Sequence, residues 1–159
     1  MNTNRNTCCF IGHRRVIGED LLKSDLCEVI EILIVEKRVD TFLFGSKSRF
    51  NSICLELVTQ FKEKYPHIKR VYVRAEYPYI NERYKNYLLE NYEDTYYPEK
   101  IKGAGKYAYV ERNYYMIDNS NYCVIYFEEL RTYKKSKSGT KIALDYAVSR
   151  RKNIIKLSI

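Results

Sequence analysis

An open, mainly parallel five-stranded α/β sheet with helices on both faces is the fold class this sequence predicts, and three observations carry it. Short continuous apolar runs stop at glycine or at a polar loop, as strands buried on both faces do. Apolar residues at helical spacing follow those runs. The two patterns alternate along a chain of 159 residues, 45% hydrophobic and 30% charged, which fits one domain spanning 1–159.

The first strand is Cys8-Cys9-Phe10-Ile11, stopped by Gly12. Leu22, Leu26, Val29, Ile30 and Leu33 then recur on one face of a helix. Thr41-Phe42-Leu43-Phe44 makes the second strand, stopped by Gly45, and Cys54, Leu57, Val58 and Phe61 stripe the second helix. Ile68 to Ala75 is the third strand. Over 76–105 the regularity loosens: Pro78 and Pro98 bracket a charged, tyrosine-rich stretch, read as a helical insertion over the sheet's end. Within it Tyr84, Tyr87 and Leu88 allow an amphipathic helix, and Lys102-Gly103-Ala104-Gly105 reads as a turn. There follow a helix through Tyr109 to Ile117, a strand from Tyr122 to Phe127, a basic loop, a helix from Thr140 to Arg150 and a closing strand from Ile154 to Leu157.

No window is long and apolar enough to span a membrane, and no apolar core or small-residue cleavage site follows Met1 to Thr7. A cytoplasmic location is therefore expected, with no membrane partner. The five cysteines, Cys8, Cys9, Cys27, Cys54 and Cys123, contain no CxxC pair, and His13 and His67 are the only histidines. Zinc-ligand spacing cannot be assembled from them, so reduced and mostly buried thiols are expected, and no metal or cofactor. The net charge of +8 attracts polyanions in general. Its dense part is Arg131, Lys134, Lys135, Lys137 and Lys141, which reads as a solvated loop in preference to a nucleic-acid surface. Aromatic and basic residues alternate through Tyr77, Tyr79, Arg83, Tyr84, Lys85 and Tyr87. They can stack nucleobases or cover core edges, and the second use is favoured.

Ligands of open parallel sheets bind beyond the carboxyl ends of the strands. Gly12-His13-Arg14-Arg15 arrives there after the first strand, with a glycine for a tight turn and side chains able to reach phosphate or ribose. Gly45-Ser46-Lys47-Ser48 arrives after the second, offering backbone N–H groups, two hydroxyls and an ammonium at a helix N-terminus. Ser138-Gly139-Thr140 opens the penultimate helix, whose positive dipole end favours an anion. Glu111-Arg112-Asn113-Tyr114-Tyr115-Met116 reads as helix, leading through Asp118-Asn119-Ser120-Asn121 into the next strand. Arg112 beside the Gly-Thr turn makes an anion pocket, with Asn113, Asp118 and Ser120 placed in the same group, and the ligand implied is a nucleotide. Alone, each loop is equally a turn with a helix cap at Ser48 or Ser138. No Walker A motif exists, because Ser46 and not glycine stands directly before Lys47, and no GxGxxG follows the first strand.

Taken together, Cys8-Cys9-Phe10-Ile11-Gly12-His13-Arg14, Phe44-Gly45-Ser46-Lys47-Ser48, Tyr65-Pro66-His67-Ile68-Lys69-Arg70, Arg112 to Asp118 and Ser138-Gly139-Thr140 resemble the SLOG superfamily. The nearest likeness is to its small standalone bacterial-type branch, DUF1273, the YpsA-like proteins. The resemblance implies a Rossmann-like sheet that binds a nucleotide or a nucleotide-derived molecule such as an ADP-ribose-like ligand, and it implies a homodimer. The superfamily also holds the LOG-type phosphoribohydrolases, whose arginine four residues before a methionine is similar to Arg112 and Met116. Their glycine-rich motif is matched only at Ser138-Gly139-Thr140, and Ile142 and Ala143 stand where their glutamates would.

An apolar residue can neither stabilise a ribosyl cation nor activate water, so hydrolysis would need another acid. Glu111 and Asp118 are the candidates, although Asp118 also reads as a helix-end acid; Asp145 faces away from Thr140. Three readings follow in order: a nucleotide-binding domain, a nucleotide N-glycosidase using Arg112 with Asp118 or Glu111, and a DNA-associated protein, since the recombination mediator DprA has a related core.

Overall fold

The computed structural model describes residues 6–128 and 138–158, so Arg131, Lys134, Lys135 and Lys137 of the basic cluster lie outside the described residues. Strand β1 (Thr7–Gly12) leads through helix α1 (Glu19–Val35) to β2 (Thr41–Phe44), and α2 (Arg49–Lys64) leads to β3 (Lys69–Val73). Helix α3 (Glu82–Leu88) precedes β4 (Asp94–Tyr96), and α4 (Ala108–Asp118) precedes β5 (Tyr122–Tyr126). Helix α5 (Gly139–Ser149) and β6 (Asn153–Leu157) complete the chain. All strand pairings are parallel, in the order β4-β3-β2-β1-β5-β6. This is an open α/β sheet of the Rossmann-like kind.

The direction of travel explains which face each helix covers. From β1 to β4 the chain steps one way across the sheet; from β4 through β5 to β6 it steps the other way. Right-handed crossovers then put the helices of the two legs on opposite faces. Accordingly Cys8 and Phe10 pack with Leu26 and Ile30 of α1, with Ile53 and Val58 of α2, and with Leu88 of α3. Cys9 and Ile11 pack with Met116 and Ile117 of α4 and with Ala143 and Leu144 of α5. Alternate residues of one strand thus enter two cores, which is why the central strands are continuously apolar. Cys8, Cys9, Cys54 and Cys123 are buried, Cys27 is exposed, and none is paired. Among the described residues no helix is long and apolar enough to cross a membrane.

The sheet has six strands, not the five expected, because the stretch expected as a helical insertion also supplies β4. Helix α3 is present, capped by the Asn81 side chain accepting from the Tyr84 N–H at 2.8 Å. Beyond it, Asp94, Thr95 and Tyr96 pair with Val71, Tyr72 and Val73. Side chains from β3 hold this short edge in place. Arg70 donates from Nε and Nη2 to the two Glu93 carboxylate oxygens at 3.0 and 2.6 Å. Arg74 Nη1 donates to the Thr95 hydroxyl at 3.1 Å, and that hydroxyl donates to the Tyr72 carbonyl at 2.9 Å. The expected turn around Gly103 stands between two short 3-10 segments, Glu99–Ile101 and Gly105–Tyr107.

Where β1 ends, chain and helix approach very closely. A Cβ on Gly12 would lie 2.4 Å from the Phe50 ring, and that ring stacks on fully buried Tyr126 at 5.4 Å between centroids. Gly12→Ala is therefore expected to destabilise the protein by about 1–3 kcal/mol, the usual cost of overpacking; a denaturant titration with an unchanged midpoint would refute this. Burial alone would push the Glu93 carboxyl up, but the Arg70 guanidinium and backbone N–H outweigh it and hold the carboxyl below its ordinary 4.5. A depressed carboxyl contributes stability that is complete above the unfolded value and is lost as pH falls through the folded one. Glu93→Gln should remove about 1 kcal/mol at neutral pH, discounted for partial exposure, and should flatten the acid limb of a stability-against-pH curve below about pH 4.5.

Candidate functional site

At the carboxyl ends of the strands lies a crevice of about 690 Å³. That is within the range of about 300–1,000 Å³ usual for small-molecule sites. It opens where strand order reverses between β1 and β5, the position at which open α/β sheets bind ligands. The Gly12 loop, the Gly45 loop, the first turns of α4 and the start of α5 all line it. Of the residues expected from sequence, Gly12, His13, Arg14, Gly45, Ser46, Lys47, Ser48, Arg112, Asn113, Ser138, Gly139 and Thr140 come together there.

Arg112 is 5% exposed, on a helix whose neighbouring turns are half in water. It lies in the early turns of α4, not at the helix end expected for it. Its Nη1 donates to the Gly45 carbonyl, its Nε donates to Asn113 Oδ1 at 3.2 Å, and the guanidinium carbon stands 5.4 Å from the centre of the Tyr109 ring. Among the described residues no carboxylate is within ion-pair distance of it. Burial lowers its pKa, opposed by Tyr72, Tyr109 and Glu76, although an arginine stays protonated regardless. A glycine at 45 is obligatory for this contact, because a Cβ there would sit 2.6 Å from Met116 Sδ and 2.8 Å from Arg112 Nε.

The two loops that open helices differ in what they have left to give. At α2 most donors are engaged: Gly45 N–H donates to Asn51 Oδ1 at 3.3 Å, Arg49 N–H to the Arg14 carbonyl at 3.0 Å, and Asn51 N–H to the Ser48 hydroxyl at 3.2 Å. Of the N–H groups expected along Gly45-Ser46-Lys47-Ser48, those of Gly45 and Ser48 are engaged, the latter donating to the Ser46 hydroxyl at 3.3 Å. Buried Asn51 staples the loop, reaching the Phe10 carbonyl at 3.5 Å as well. At α5 Ser138 caps through the Lys141 N–H at 3.1 Å, while the N–H groups of Gly139 and Thr140 and the Thr140 hydroxyl have no hydrogen-bond partner among the described residues. His13 ties the first loop to the end of β5, its Nε2 accepting from the Glu128 N–H at 2.9 Å. Lys47 Nζ lies 5.9 Å from the centre of the Tyr84 ring.

Asp118 and Ser120 are not in the crevice. Crossover helices run back against the strands, so the end of α4 lies at the sheet's amino edge, where the Asn121 N–H donates to the Thr7 carbonyl at 2.9 Å. There Asp118 accepts from the Tyr146 hydroxyl at 2.7 Å and pairs with Arg150 at 3.5 Å, and the Ser120 hydroxyl donates to the Met116 carbonyl at 2.7 Å. Glu111 is exposed and does not line the crevice either. Ala143 is buried in the second core, and Asp145 pairs with Lys141 one turn back on α5. The carboxylate that does line the crevice is Glu76, just past β3, whose Oε1 accepts from the Tyr109 hydroxyl at 3.2 Å. The sequence pattern does not single out Glu76, Tyr109 or Asn51. No cluster of three or more His, Cys, Asp or Glu able to hold a metal ion occurs among the described residues.

Fold and site together define an open α/β domain with a polar, cationic crevice at its strand-order reversal. A scan against protein-family models and a search of curated protein sequences each return no match.

A guanidinium buried without a carboxylate costs the fold free energy. Arg112→Met, similar in length and uncharged, should therefore leave stability within about 1 kcal/mol of the parent or raise it. A loss above about 2 kcal/mol in chemical denaturation would assign Arg112 a structural role through Gly45 instead.

Proposed function

We propose that this chain is a nucleotide-binding domain of the SLOG type, which holds a nucleotide or nucleotide-derived phosphate ester in the crevice. The observation that carries the reading is buried Arg112, facing a ligand-sized crevice without a carboxylate partner among the described residues. An anionic group is the complement that such a guanidinium lacks. The open N–H groups at the start of α5 and the cationic side chains of Arg14 and Lys47 support it. The motif likeness to the DUF1273 branch points the same way.

Hydrolysis of the base–ribose bond is the second reading, and one observation favours it. Glu76 supplies a carboxylate to the crevice although Ile142 and Ala143 replace the glutamates of the LOG-type motif. Binding is the preferred account because Glu76 is exposed and unlinked to any other crevice acid. An exposed carboxylate with no second acid beside it among the described residues lacks the paired arrangement that glycosidic hydrolysis uses.

A thermal-shift screen against a nucleotide panel is expected to show stabilisation by some members, since a ligand of the native state stabilises it by mass action. Calorimetric titration of Arg112→Met should then show affinity lower by about 10- to 150-fold, the equivalent of about 1.5–3 kcal/mol for hydrogen bonds to a charged group. Equal affinity of mutant and parent would remove Arg112 from the site. Incubation with nucleoside monophosphates is expected to release no appreciable free base. Multiple turnover, abolished by Glu76→Gln, would instead make hydrolysis the leading account.

A further inference from the structure

Strand order lays the crevice out as a line with two chemically different ends. From β3 to β5 the strands run β3, β2, β1, β5, and neighbours are about 4.8 Å apart. Glu76 follows β3, the Gly45 loop follows β2, the Gly12 loop follows β1, and the start of α5 lies beyond β5. Donors gather on the β2-to-β5 side, where Arg112 bonds the Gly45 carbonyl and the Gly139 and Thr140 N–H groups have no partner among the described residues. At the β3 end stands the crevice's one carboxylate among the described residues.

A carboxylate is an acceptor and repels phosphate, so the part of a ligand that meets Glu76 must be neutral or cationic and must donate. The Tyr109 hydroxyl fixes Oε1 at 3.2 Å, and Arg112 lies against the Tyr109 ring on the other side of that pair. The remaining acceptor capacity of Glu76 has no partner among the described residues. Vicinal ribose hydroxyls present two donors at a spacing that one carboxylate can accept together, as acidic residues do in dinucleotide sites. In those sites the acid follows the second strand; here that position carries Gly45 and Ser46.

We infer that Glu76, held by Tyr109, is a ribose-diol subsite at the β3 end of the crevice, with the phosphates on the side of β1 and β5. This rests on the nucleotide reading and adds an orientation to it: the ligand lies across the strand ends, sugar toward β3. Burial and Glu76 both raise the Tyr109 pKa, so its hydroxyl stays protonated to donate to the carboxylate. The subsite makes the protein a reader of ribonucleotides over sugars lacking the diol.

The test is calorimetric titration of the four ribonucleoside 5′-triphosphates and their four 2′,3′-dideoxy counterparts against the full chain and against Glu76→Ala. The parent is expected to bind at least one ribonucleotide about ten-fold more tightly than its dideoxy partner, the equivalent of about 1.4 kcal/mol. Glu76→Ala should abolish that preference by weakening the ribonucleotide while leaving the dideoxy compound within about three-fold, a change of less than about 0.7 kcal/mol. A parent without diol preference, a preference that survives in Glu76→Ala, or an equal loss for both sugars would overturn the subsite and leave nucleotide binding standing. Loss of preference among bases with the diol preference intact would overturn it in favour of a contact to a base amine. Absence of binding by all eight compounds would sink the nucleotide reading along with it.

Discussion

The separation between α4 and the end of β2 governs both the fold and the crevice. Helix α4 completes the crossing from the β4 edge to β5 and lies against the sheet's second face. Its Met116 and Arg112 side chains can close on the end of β2 because residue 45 has no side chain. From that one contact Met116 gains its place in the core beneath the sheet's second face, and Arg112 gains its place beside the Gly45 carbonyl. A methyl group at 45 would have to displace those two side chains, disturbing the core packing and the crevice floor together.

The electrostatics of the crevice follow from that geometry. Bringing α4 down desolvates Arg112, and the groups that receive it, a carbonyl, an amide oxygen and an aromatic face, carry no formal charge. They satisfy donors without neutralising the cation. The guanidinium thus faces the crevice unneutralised, and a largely buried charge acts more strongly than one at an open surface. Asn51 plays the opposite part on the facing helix, using its amide to close off the Gly45 N–H and the Phe10 carbonyl. The Gly45 loop is thus tied down by Asn51 and Ser48, while at the start of α5 the Gly139 and Thr140 N–H groups have no partner among the described residues.

Much of this was legible in the residues and some was not, for identifiable reasons. The four central strands are apolar runs because both sheet faces are covered, and the glycines that end β1 and β2 mark the crevice. Strand β4 escapes such a reading: Asp94-Thr95-Tyr96 has no apolar run, and its place depends on Arg70 and Arg74, which lie far back along the chain. Asp118 and Ser120 are adjacent in sequence to the arginine helix, yet a helix antiparallel to the strands carries its last turn to the far edge of the sheet. Glu76 and Tyr109 meet only through the register of β3 and the rotation of α4, neither of which has a local signature. The tie that engages the Gly45 N–H rests on Asn51, an ordinary-looking polar residue in a helical stripe.

The central position of β1 also shapes how the chain assembles. One edge of β1 is covered by β2, the next strand along the chain, but its other edge waits for β5, whose Tyr122 pairs with Cys8. Helices α1 to α4 and strands β2 to β4 all lie between those two partners. Until then an apolar strand with unpaired N–H and C=O groups stands open along its length, the condition under which growing chains pair with the wrong partner. Parallel sheets closed by such distant pairings also fold slowly, because the loop entropy falls due before the contact forms. Closure of the crevice consequently waits on the β1–β5 pairing, which joins residues further apart along the chain than any other strand pairing among the described residues.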